Sequence, residues 1–281
     1  MRLGQVKLDG VVTAAIFEED LARPIPGHKM VDLIRRSEAE SVSLAQLAGR
    51  MASHHPEPLA AVVPIHPPEV WASGCTYERS ASFRDGEHGT REGMYAYVYR
   101  EPRPEIFFKG TARVCVGPGQ TIGIRSDSKF TAPEPELAVV LGSKGRILGY
   151  TLANDVSAWD IERENALYLP QSKVYTACCA LGPVIVTGDE LTDPYALDMT
   201  CTITRAGQTI FSGAVSTSKL HRKIETIVEY LLRANQVPAG SVLCTGTGII
   251  VTEEAALAAG DIVTIRVAGI GELSNVAAIV E

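Results

Sequence analysis

The chain has 281 residues, enough to bury a large core, and its 46% hydrophobic and 21% charged content is that of a folded globular protein, which excludes a disordered chain. A formal net charge of −7 without a dense Lys/Arg block argues against nucleic-acid binding. No apolar run reaches the length of about 18 residues that suggests a membrane span, and the N-terminus lacks a signal-peptide core, so we expect a cytoplasmic protein with no membrane partner.

Residues 1–68 are predicted to form a small N-terminal α+β domain. Val11–Phe17 is strand-like, whereas Val31–Arg36 and Ser43–Met51 have helical patterns, with Ser43 as an N-cap. A connector rich in proline then runs from residue 54 to residue 68, and its prolines exclude regular structure. We therefore place a domain boundary after residue 68 and assign residues 69–281 to a second, larger domain.

The second domain opens with a polar, glycine-containing segment from Glu78 to Gly93, which is typical of a mobile loop beside a site. The aromatic segment Tyr95–Tyr99 is expected to pack against the core. A strand is expected to end at Lys109. The six cysteines show no CxxC spacing, which favours buried, reduced thiols in a reducing compartment.

The C-terminal half is predicted to alternate strands with one amphipathic helix. The apolar stripe from Leu220 to Leu232 predicts that helix, with capping residues at Ser216–Ser218. Gly182-Pro183 predicts a break in the chain, and Gly207 predicts a hairpin turn. The expected strands of this half are Leu197–Thr204, Val242–Thr245, Asp261–Val267 and Ser274–Val280.

Acidic residues stand at the ends of two predicted strands. Glu134 and Glu136 lie two residues apart at the head of an apolar run, so their side chains would share one face of a strand. For this pair alone, a solvated strand face is the alternative reading. Asp155 ends the strand-like segment Gly149–Asp155, and together the three acids form an all-oxygen set. Such a set suits Mg²⁺ first, with Mn²⁺ or Ca²⁺ next, and disfavours Zn²⁺.

A series of short motifs follows in order from Val70 to the C-terminus. They are Phe107-Phe-Lys109, Gly117-Pro-Gly119, Glu134-Pro-Glu136, Gly149-Tyr-Thr151, Asn154-Asp-Val-Ser157, Lys173, Gly182-Pro183, Thr245-Gly-Thr247 and Gly269-Ile-Gly-Glu-Leu273. Their order and spacing resemble the fumarylacetoacetate hydrolase family. The resemblance implies an α+β, β-rich fold built as a mixed β-sandwich roll, with residues 69–281 as the catalytic domain. It also implies a homodimer.

The resemblance implies roles for individual residues. Glu134, Glu136 and Asp155 would be the metal ligands, and Lys173 would be the active-site lysine, whose pKa would fall beside a metal ion enough for acid/base work. Without the resemblance, Lys173 reads as a surface lysine. Lys109, which matches a position in the family's pocket, would steer the substrate carboxylate and take part in catalysis.

Three further residues are assigned to substrate binding. Thr247 matches a pocket position and would hydrogen-bond the substrate, helped by backbone N–H groups of its turn. Tyr77 and Ser80 lie in the segment that enters the same domain, and we assign them to the substrate as well. Lys109 and Thr247 have a simpler alternative, which is that each merely ends a strand.

Two departures from the family pattern affect the expected reaction. Hydrolytic members carry a His and a Glu after their Tyr, a dyad that activates water, whereas this chain has Ser80 and Phe83 there. A base for hydrolysis would have to come from elsewhere, and His88 and Glu92 are the candidates. Trp159 stands where many relatives carry Arg, so a cation that could orient the substrate is missing.

Other segments resemble one branch of the family, the 2-keto-3-deoxy sugar acid dehydratases. They are Gly74–Ser80, Pro104–Lys109, Gly123–Ser128, Glu162–Asn165 and Leu167–Lys173. The resemblance implies a Mg²⁺-dependent lyase that dehydrates a 2-keto-3-deoxypentonate through a metal-stabilised enolate. The product would be 2-oxoglutarate semialdehyde or an analogue, and the small 2-oxo acid substrate would be the principal partner.

Two alternatives remain open at this point. The first is a hydrolase that cleaves the C–C bond of a β-diketo acid, of the fumarylacetoacetate or acylpyruvate type, which requires a base within reach of the attacking water. The second is a sugar-acid-binding protein without catalytic activity. The sequence does not identify the acid that a dehydratase needs for the leaving hydroxide.

Overall fold

The computed structural model describes residues 1–78, 80, 82 and 93–281, and these residues form a mixed α+β fold that is rich in strands. The strands are β1 Arg2–Leu8, β2 Val11–Glu18, β3 Leu21–Ile25, β4 Val70–Ala72, β5 Phe107–Gly110, β6 Cys115–Val116, β7 Thr121–Arg125, β8 Thr131–Ala132, β9 Pro135–Leu141, β10 Ile147–Asp155, β11 Ser157–Ala158, β12 Cys179–Thr187, β13 Asp198–Arg205, β14 Gln208–Ser216, β15 Val242–Cys244, β16 Ile262–Val267 and β17 Gly271–Val280. The helices are α1 Met30–Ala39, α2 Leu44–Met51, α3 Met94–Arg100, α4 Trp159–Glu164, α5 Leu169–Lys173 and α6 Ile224–Leu232.

Two large sheets form the layers of the fold. The first has the order β3-β2-β1-β12-β10-β9-β15-β4-β5, with β6 pairing beside β12, and the second has the order β14-β13-β16-β17-β7. Apolar side chains of both sheets, such as Leu137 of β9 and Ile203 of β13, belong to one buried cluster. The expected sandwich of mixed sheets is confirmed, and its core lies between them.

Strand β9 is the centre of the first sheet and is buried along its whole length. It has β10 on one side and β15 on the other, both antiparallel. A strand buried on both faces has an apolar run rather than an alternating pattern, and Leu137–Leu141 is such a run. Glu136 is therefore a carboxylate inside a strand that is otherwise suited to the core.

The N-terminal unit contains the predicted strand and both predicted helices, together with two strands that were not predicted, β1 and β3, and its three strands continue the first sheet. Ser43 Oγ accepts a hydrogen bond from the Gln46 backbone N–H at 3.1 Å, and the Ser43 backbone N–H donates to Gln46 Oε1 at 3.3 Å. These two hydrogen bonds form a complete capping box. Strand β1 pairs with β12 through Arg2 and Leu3. Its side chain Leu3 shares a buried cluster with residues of the central strands. The proposed domain division at residue 68 stays a prediction.

The predicted helix at Leu220–Leu232 is shorter than its apolar stripe suggests. It begins at Ile224 after an N-cap at Lys223, and Ser216 caps only a short 3₁₀ turn. The intervening residues are held elsewhere: the His221 N–H donates to Thr76 O at 2.9 Å, and Arg222 donates to backbone carbonyls of Val98, Tyr99 and Pro102. These contacts override the helical pattern before residue 224.

Two other local expectations were wrong, and one is confirmed. Gly182-Pro183 does not break the chain, because β12 runs through both residues with an irregularity in its pairing to β10. Tyr95–Tyr99 lies in helix α3, where Tyr95 is buried and Tyr97 is exposed, so only part of the aromatic segment packs inward. The turn at Gly207 connects β13 to β14 as predicted, with both Ala206 and Gly207 at positive φ.

Among the described residues, no helix has the length and apolar character needed to cross a membrane.

Candidate metal centre

Three carboxylates converge where β9 and β10 pair. The register places Glu136 opposite Ala153 and Pro135 opposite Asn154, and the Asp155 N–H donates to Glu134 O at 2.9 Å. Each of Glu134, Glu136 and Asp155 offers an oxygen within 4.8 Å of the others, and all three side chains are buried. The three acids predicted from the sequence are therefore brought together, and the solvated-face reading of the Glu134–Glu136 pair is wrong.

Two buried lysines contact this acid triad of Glu134, Glu136 and Asp155. Lys173 Nζ donates to Glu134 Oε2 at 3.0 Å, to Asp155 Oδ2 at 3.4 Å and to Ser157 Oγ at 2.6 Å. Lys109 Nζ lies 2.5 Å from Asp155 Oδ1 and donates to Val156 O at 3.0 Å. Both lysines are at most 1% exposed, so the surface reading of Lys173 is wrong. The ammonium of Lys109 is held by Asp155. The predicted role of Lys109 at a substrate carboxylate stays a prediction.

Burial and charge shift the pKa values of these groups in directions that follow from their surroundings. Burial raises the pKa of Glu136 well above its ordinary value, and the charges of Asp155 and Glu134 raise it further, against a lowering contact from the Gly246 N–H. Burial also raises the pKa of Asp155, although Lys109 and Lys173 oppose the shift. Burial alone would lower the pKa of Lys109, but Asp155 raises it well above the ordinary value.

A turn at residues 245–248 closes the site on the side of Glu136. The Gly246 N–H donates to Glu136 Oε2 at 2.6 Å, and a Cβ on Gly246 would lie 2.0 Å from Thr76 Oγ1. Only glycine fits there, at a φ of +93°. Thr247, predicted to bind substrate, is buried, and its hydroxyl contacts the backbone of Ile249 within the same turn.

The predicted substrate residues Tyr77 and Ser80 are both buried, and the ring of Tyr77 lies against Gly248 of this turn. Burial raises the pKa of Tyr77, and the negative charge of Glu136 raises it further, so Tyr77 stays a neutral hydroxyl beside the acid triad. Their assignment to substrate stays a prediction. His88 and Glu92, the alternative bases, lie outside the described residues, as does most of the loop predicted at Glu78–Gly93.

Three residues of the site were not assigned from the sequence. Trp159 Nε1 donates to Glu134 Oε1 at 2.7 Å, so the residue noted as a missing cation is in fact a donor to a member of the triad. Glu162 is buried, with its carboxylate 3.8 Å from Lys173 Nζ and within 3.3 Å of Ser172 Oγ. Glu105 accepts from Cys75 Sγ at 3.3 Å, and its carboxylate lies against the backbone of Gly74. The segments Pro104–Lys109 and Glu162–Asn165 contained the last two, but no pattern in them indicated a role.

A cavity of about 520 Å³ lies beside Glu105 and Glu162, between helix α3 and the Glu162–Leu169 segment. Tyr95, Val98 and Leu169 give it apolar walls, whereas Glu105 and Glu162 add carboxylates. Glu162 belongs both to the cavity wall and to the surroundings of Lys173. The volume of the cavity falls in the range of about 300–1,000 Å³ that is usual for small-molecule sites.

The residues of the triad fit a divalent cation. When ionised, Glu134, Glu136 and Asp155 place three negative charges within 4.8 Å of one another, and Lys109 and Lys173 contact two of the three. Like charges buried this close together repel one another, and a divalent cation between them would relieve that repulsion. The ligands would all be oxygen, as Mg²⁺ prefers.

Comparison with known proteins decides the family. The family model described as fumarylacetoacetate (FAA) hydrolase C-terminal matches residues 70–278, well over half of the chain. The chain belongs to the fumarylacetoacetate hydrolase family. The resemblance drawn from the short motifs is therefore confirmed.

Within this fumarylacetoacetate hydrolase family, the chain is similar to sugar-acid dehydratases. It is 53% identical over 213 residues to 2-dehydro-3-deoxy-D-arabinonate dehydratase of Saccharolobus solfataricus, covering 75% of this chain and 72% of that one. It is 46% identical over 215 residues to the "Probable 2-keto-3-deoxyxylonate dehydratase" of Haloferax volcanii, covering 76% and 74% of the two chains. A solved structure of 2-keto-3-deoxy-D-arabinonate dehydratase complexed with magnesium and 2,5-dioxopentanoate matches with a TM-score of 0.85 and 40% identity, over 100% of both chains.

Replacing Glu136 by Gln tests the acid triad. We expect Glu136→Gln to weaken Mg²⁺ binding by at least about 100-fold, more than the loss typical of residues outside the ligand set, and to abolish activity. The metal-free variant should unfold at a higher temperature than the metal-free wild type, because one of the repelling carboxylates is gone. Calorimetric titration with Mg²⁺ and thermal melts in EDTA are the measurements. Glu229→Gln, on an exposed face of α6, is the control and should behave as wild type; full turnover by Glu136→Gln would refute the metal assignment.

Proposed function

We propose that this chain is a Mg²⁺-dependent hydro-lyase that removes water from a 2-keto-3-deoxypentonate to give 2,5-dioxopentanoate, which is 2-oxoglutarate semialdehyde. The observation that supports this most strongly is the contact of Lys173 Nζ with Glu134 and Asp155 in a buried acid site, next to a cavity of suitable volume. The 53% identity to a dehydratase of this substrate class supports the same reaction.

The reaction needs a base at C3 and an acid at the C4 hydroxyl. The C3 proton and the C4 hydroxyl leave together as water, and the resulting double bond tautomerises so that the C5 hydroxyl carbon becomes the aldehyde. Mg²⁺, held by Glu134, Glu136 and Asp155, would supply Lewis-acid polarisation of the keto group, which makes the C3 proton acidic. Everything else falls to the side chains of the protein.

Lys173 is the proposed base. Its Nζ donates to Ser157 Oγ at 2.6 Å. That hydroxyl in turn donates to Asp155 O at 2.9 Å, so the acceptor that holds Nζ is itself fixed to the backbone. A base held beside the triad lies close to any carbon next to a keto group that the triad's cation binds. With a cation on the triad, Lys173 would first lose its own proton to solvent, and the neutral amine would then take the C3 proton and become an ammonium again.

Glu162 is the proposed acid. Its carboxyl group lies 3.8 Å from Lys173 Nζ and lines the cavity, where the remote part of a five-carbon substrate would lie. A carboxyl group there can donate a proton to the departing C4 hydroxyl. Glu105, on another wall of the cavity, is placed to bind the hydroxyls at C4 and C5.

The substrate assignment is tested by turnover. We expect the protein to convert 2-keto-3-deoxy-D-arabinonate to an aldehyde that semicarbazide traps, and we expect EDTA to stop the reaction until Mg²⁺ is restored. Acylpyruvate, incubated in parallel, should remain uncleaved. Cleavage of acylpyruvate without dehydration of the pentonate would favour the hydrolase, and recovery of intact pentonate bound to metal-loaded protein would favour a binding protein.

The role of Lys173 is tested by separating chemistry from metal binding. We expect Lys173→Met to lower kcat by about 10²- to 10⁴-fold, as loss of a general base does. Its Mg²⁺ affinity should not fall, because a positive charge beside the triad has been removed. Steady-state kinetics and calorimetry give the two values, with Lys144→Met in an exposed turn as the control. A variant that keeps wild-type kcat would refute the assignment.

We further propose that the protein is a cytoplasmic homodimer. All six cysteines are free and five are buried, which suits a reducing compartment. Ile262 and Val276 are cross-strand partners on the second sheet and are about 40% exposed. Exposed apolar pairs of this kind favour association of two chains. Sedimentation equilibrium should give twice the mass of the chain, and a monomer at micromolar concentration would contradict the dimer.

A further inference from the structure

Glu134 is held through both of its carboxylate oxygens. Oε2 accepts from Lys173 Nζ at 3.0 Å, and Oε1 accepts from Trp159 Nε1 at 2.7 Å. Two donors on opposite oxygens fix the plane of the carboxylate, which a single contact would leave free to rotate. The orientation of Glu134 towards Glu136 and Asp155 therefore depends on the indole as well as on the lysine.

The indole is itself rigidly placed. Trp159 is 2% exposed, and its backbone N–H donates to Phe130 O at 2.8 Å at the start of helix α4. Its ring packs on the ring of Phe130, with centroids 5.8 Å apart. The residue before it, Ala158, pairs with Thr131 in the small sheet of β8 and β11. A side chain anchored in this way delivers its N–H to one point.

The chemistry of the donor matters as much as its place. An indole N–H is a donor that carries no charge and cannot lose its proton near neutral pH. It fixes Glu134 without cancelling any of the negative charge on which a cation depends. Lys173, by contrast, orients the other oxygen as an ammonium in the metal-free protein, and so places a positive charge beside the triad.

We propose that Trp159 is a positioning residue that orients Glu134 for a divalent cation and so sets the cation affinity of the site. The proposal rests on the metal site of the proposed function, but not on the identity of the substrate. Groups beyond the ligands that orient them typically change metal affinity by about 10- to 100-fold when they are removed. The indole N–H is such a group.

The chain offers a matched pair of variants. Trp159→Phe keeps a buried aromatic ring and removes the N–H, and we expect it to weaken Mn²⁺ binding by about 10- to 100-fold, measured from the electron paramagnetic resonance signal of free Mn²⁺. Trp71→Phe makes the same change at the other tryptophan, whose Nε1 donates to Glu69 Oε2 at 2.8 Å. We expect it to bind Mn²⁺ as the wild type does.

A second measurement covers the case in which Trp159→Phe does not fold. In a Trp71→Phe background, replacing Trp159 with benzothienylalanine substitutes sulfur for the N–H and nearly preserves the shape of the ring, and the same loss of affinity is expected. Wild-type Mn²⁺ affinity in a folded Trp159→Phe variant, or in the benzothienyl protein, would overturn the proposal while leaving the metal site intact. A wild-type protein that binds no Mn²⁺ would instead overturn the metal site, and this inference with it.

Discussion

The site is governed by repulsion between buried carboxylates. Glu134, Glu136 and Asp155 lie within 4.8 Å of one another and out of contact with solvent, an arrangement that is unfavourable unless positive charge compensates it. Lys109 and Lys173 supply positive charge through direct contacts, and the three converging carboxylates would also hold a divalent cation. Burial raises the pKa of Glu136 in the metal-free protein, and the repulsion from Asp155 and Glu134 raises it further. Cation binding and the chemistry that depends on it follow from this one constraint.

The sheet maintains the arrangement because its register is difficult to change. Glu136 is part of β9, which is buried on both faces and paired on both sides, and Asp155 ends the neighbouring strand β10. A shift of one residue would move every side chain of β9 to the opposite face. The apolar run that follows Glu136 therefore stabilises the position of the acid as well as the core.

Much of this was predictable from the sequence. The strand character of Leu137–Leu141, the N-cap at Ser43 and the hairpin at Gly207 follow from local patterns, and the structure confirms them. The grouping of Glu134, Glu136 and Asp155 as an all-oxygen set followed from acids at the ends of two predicted strands, and their roles as metal ligands followed from the family resemblance. The roles of Lys173 and Lys109 came from the family resemblance, since nothing in their immediate sequence indicates burial.

What the sequence did not predict depends on contacts between distant segments. Trp159 meets Glu134 across 25 positions, and its indole N–H is not distinguishable in sequence from that of any core tryptophan. The late start of α6 results from the anchoring of Arg222 on carbonyls near residue 100, which a helical pattern cannot express. Glu162 and Glu105 come together only because two segments that are distant in sequence line the same cavity.

The most direct test of the account is the position of the cation. Crystals grown with Mn²⁺ and measured at the manganese absorption edge should show one strong anomalous peak, about 2.0–2.6 Å from an oxygen of each of Glu134, Glu136 and Asp155. Retention of the peak in the Trp71→Phe protein would confirm that the crystals report the wild-type site. A peak elsewhere, or no peak at the three carboxylates in crystals grown with saturating Mn²⁺, would contradict the central claim.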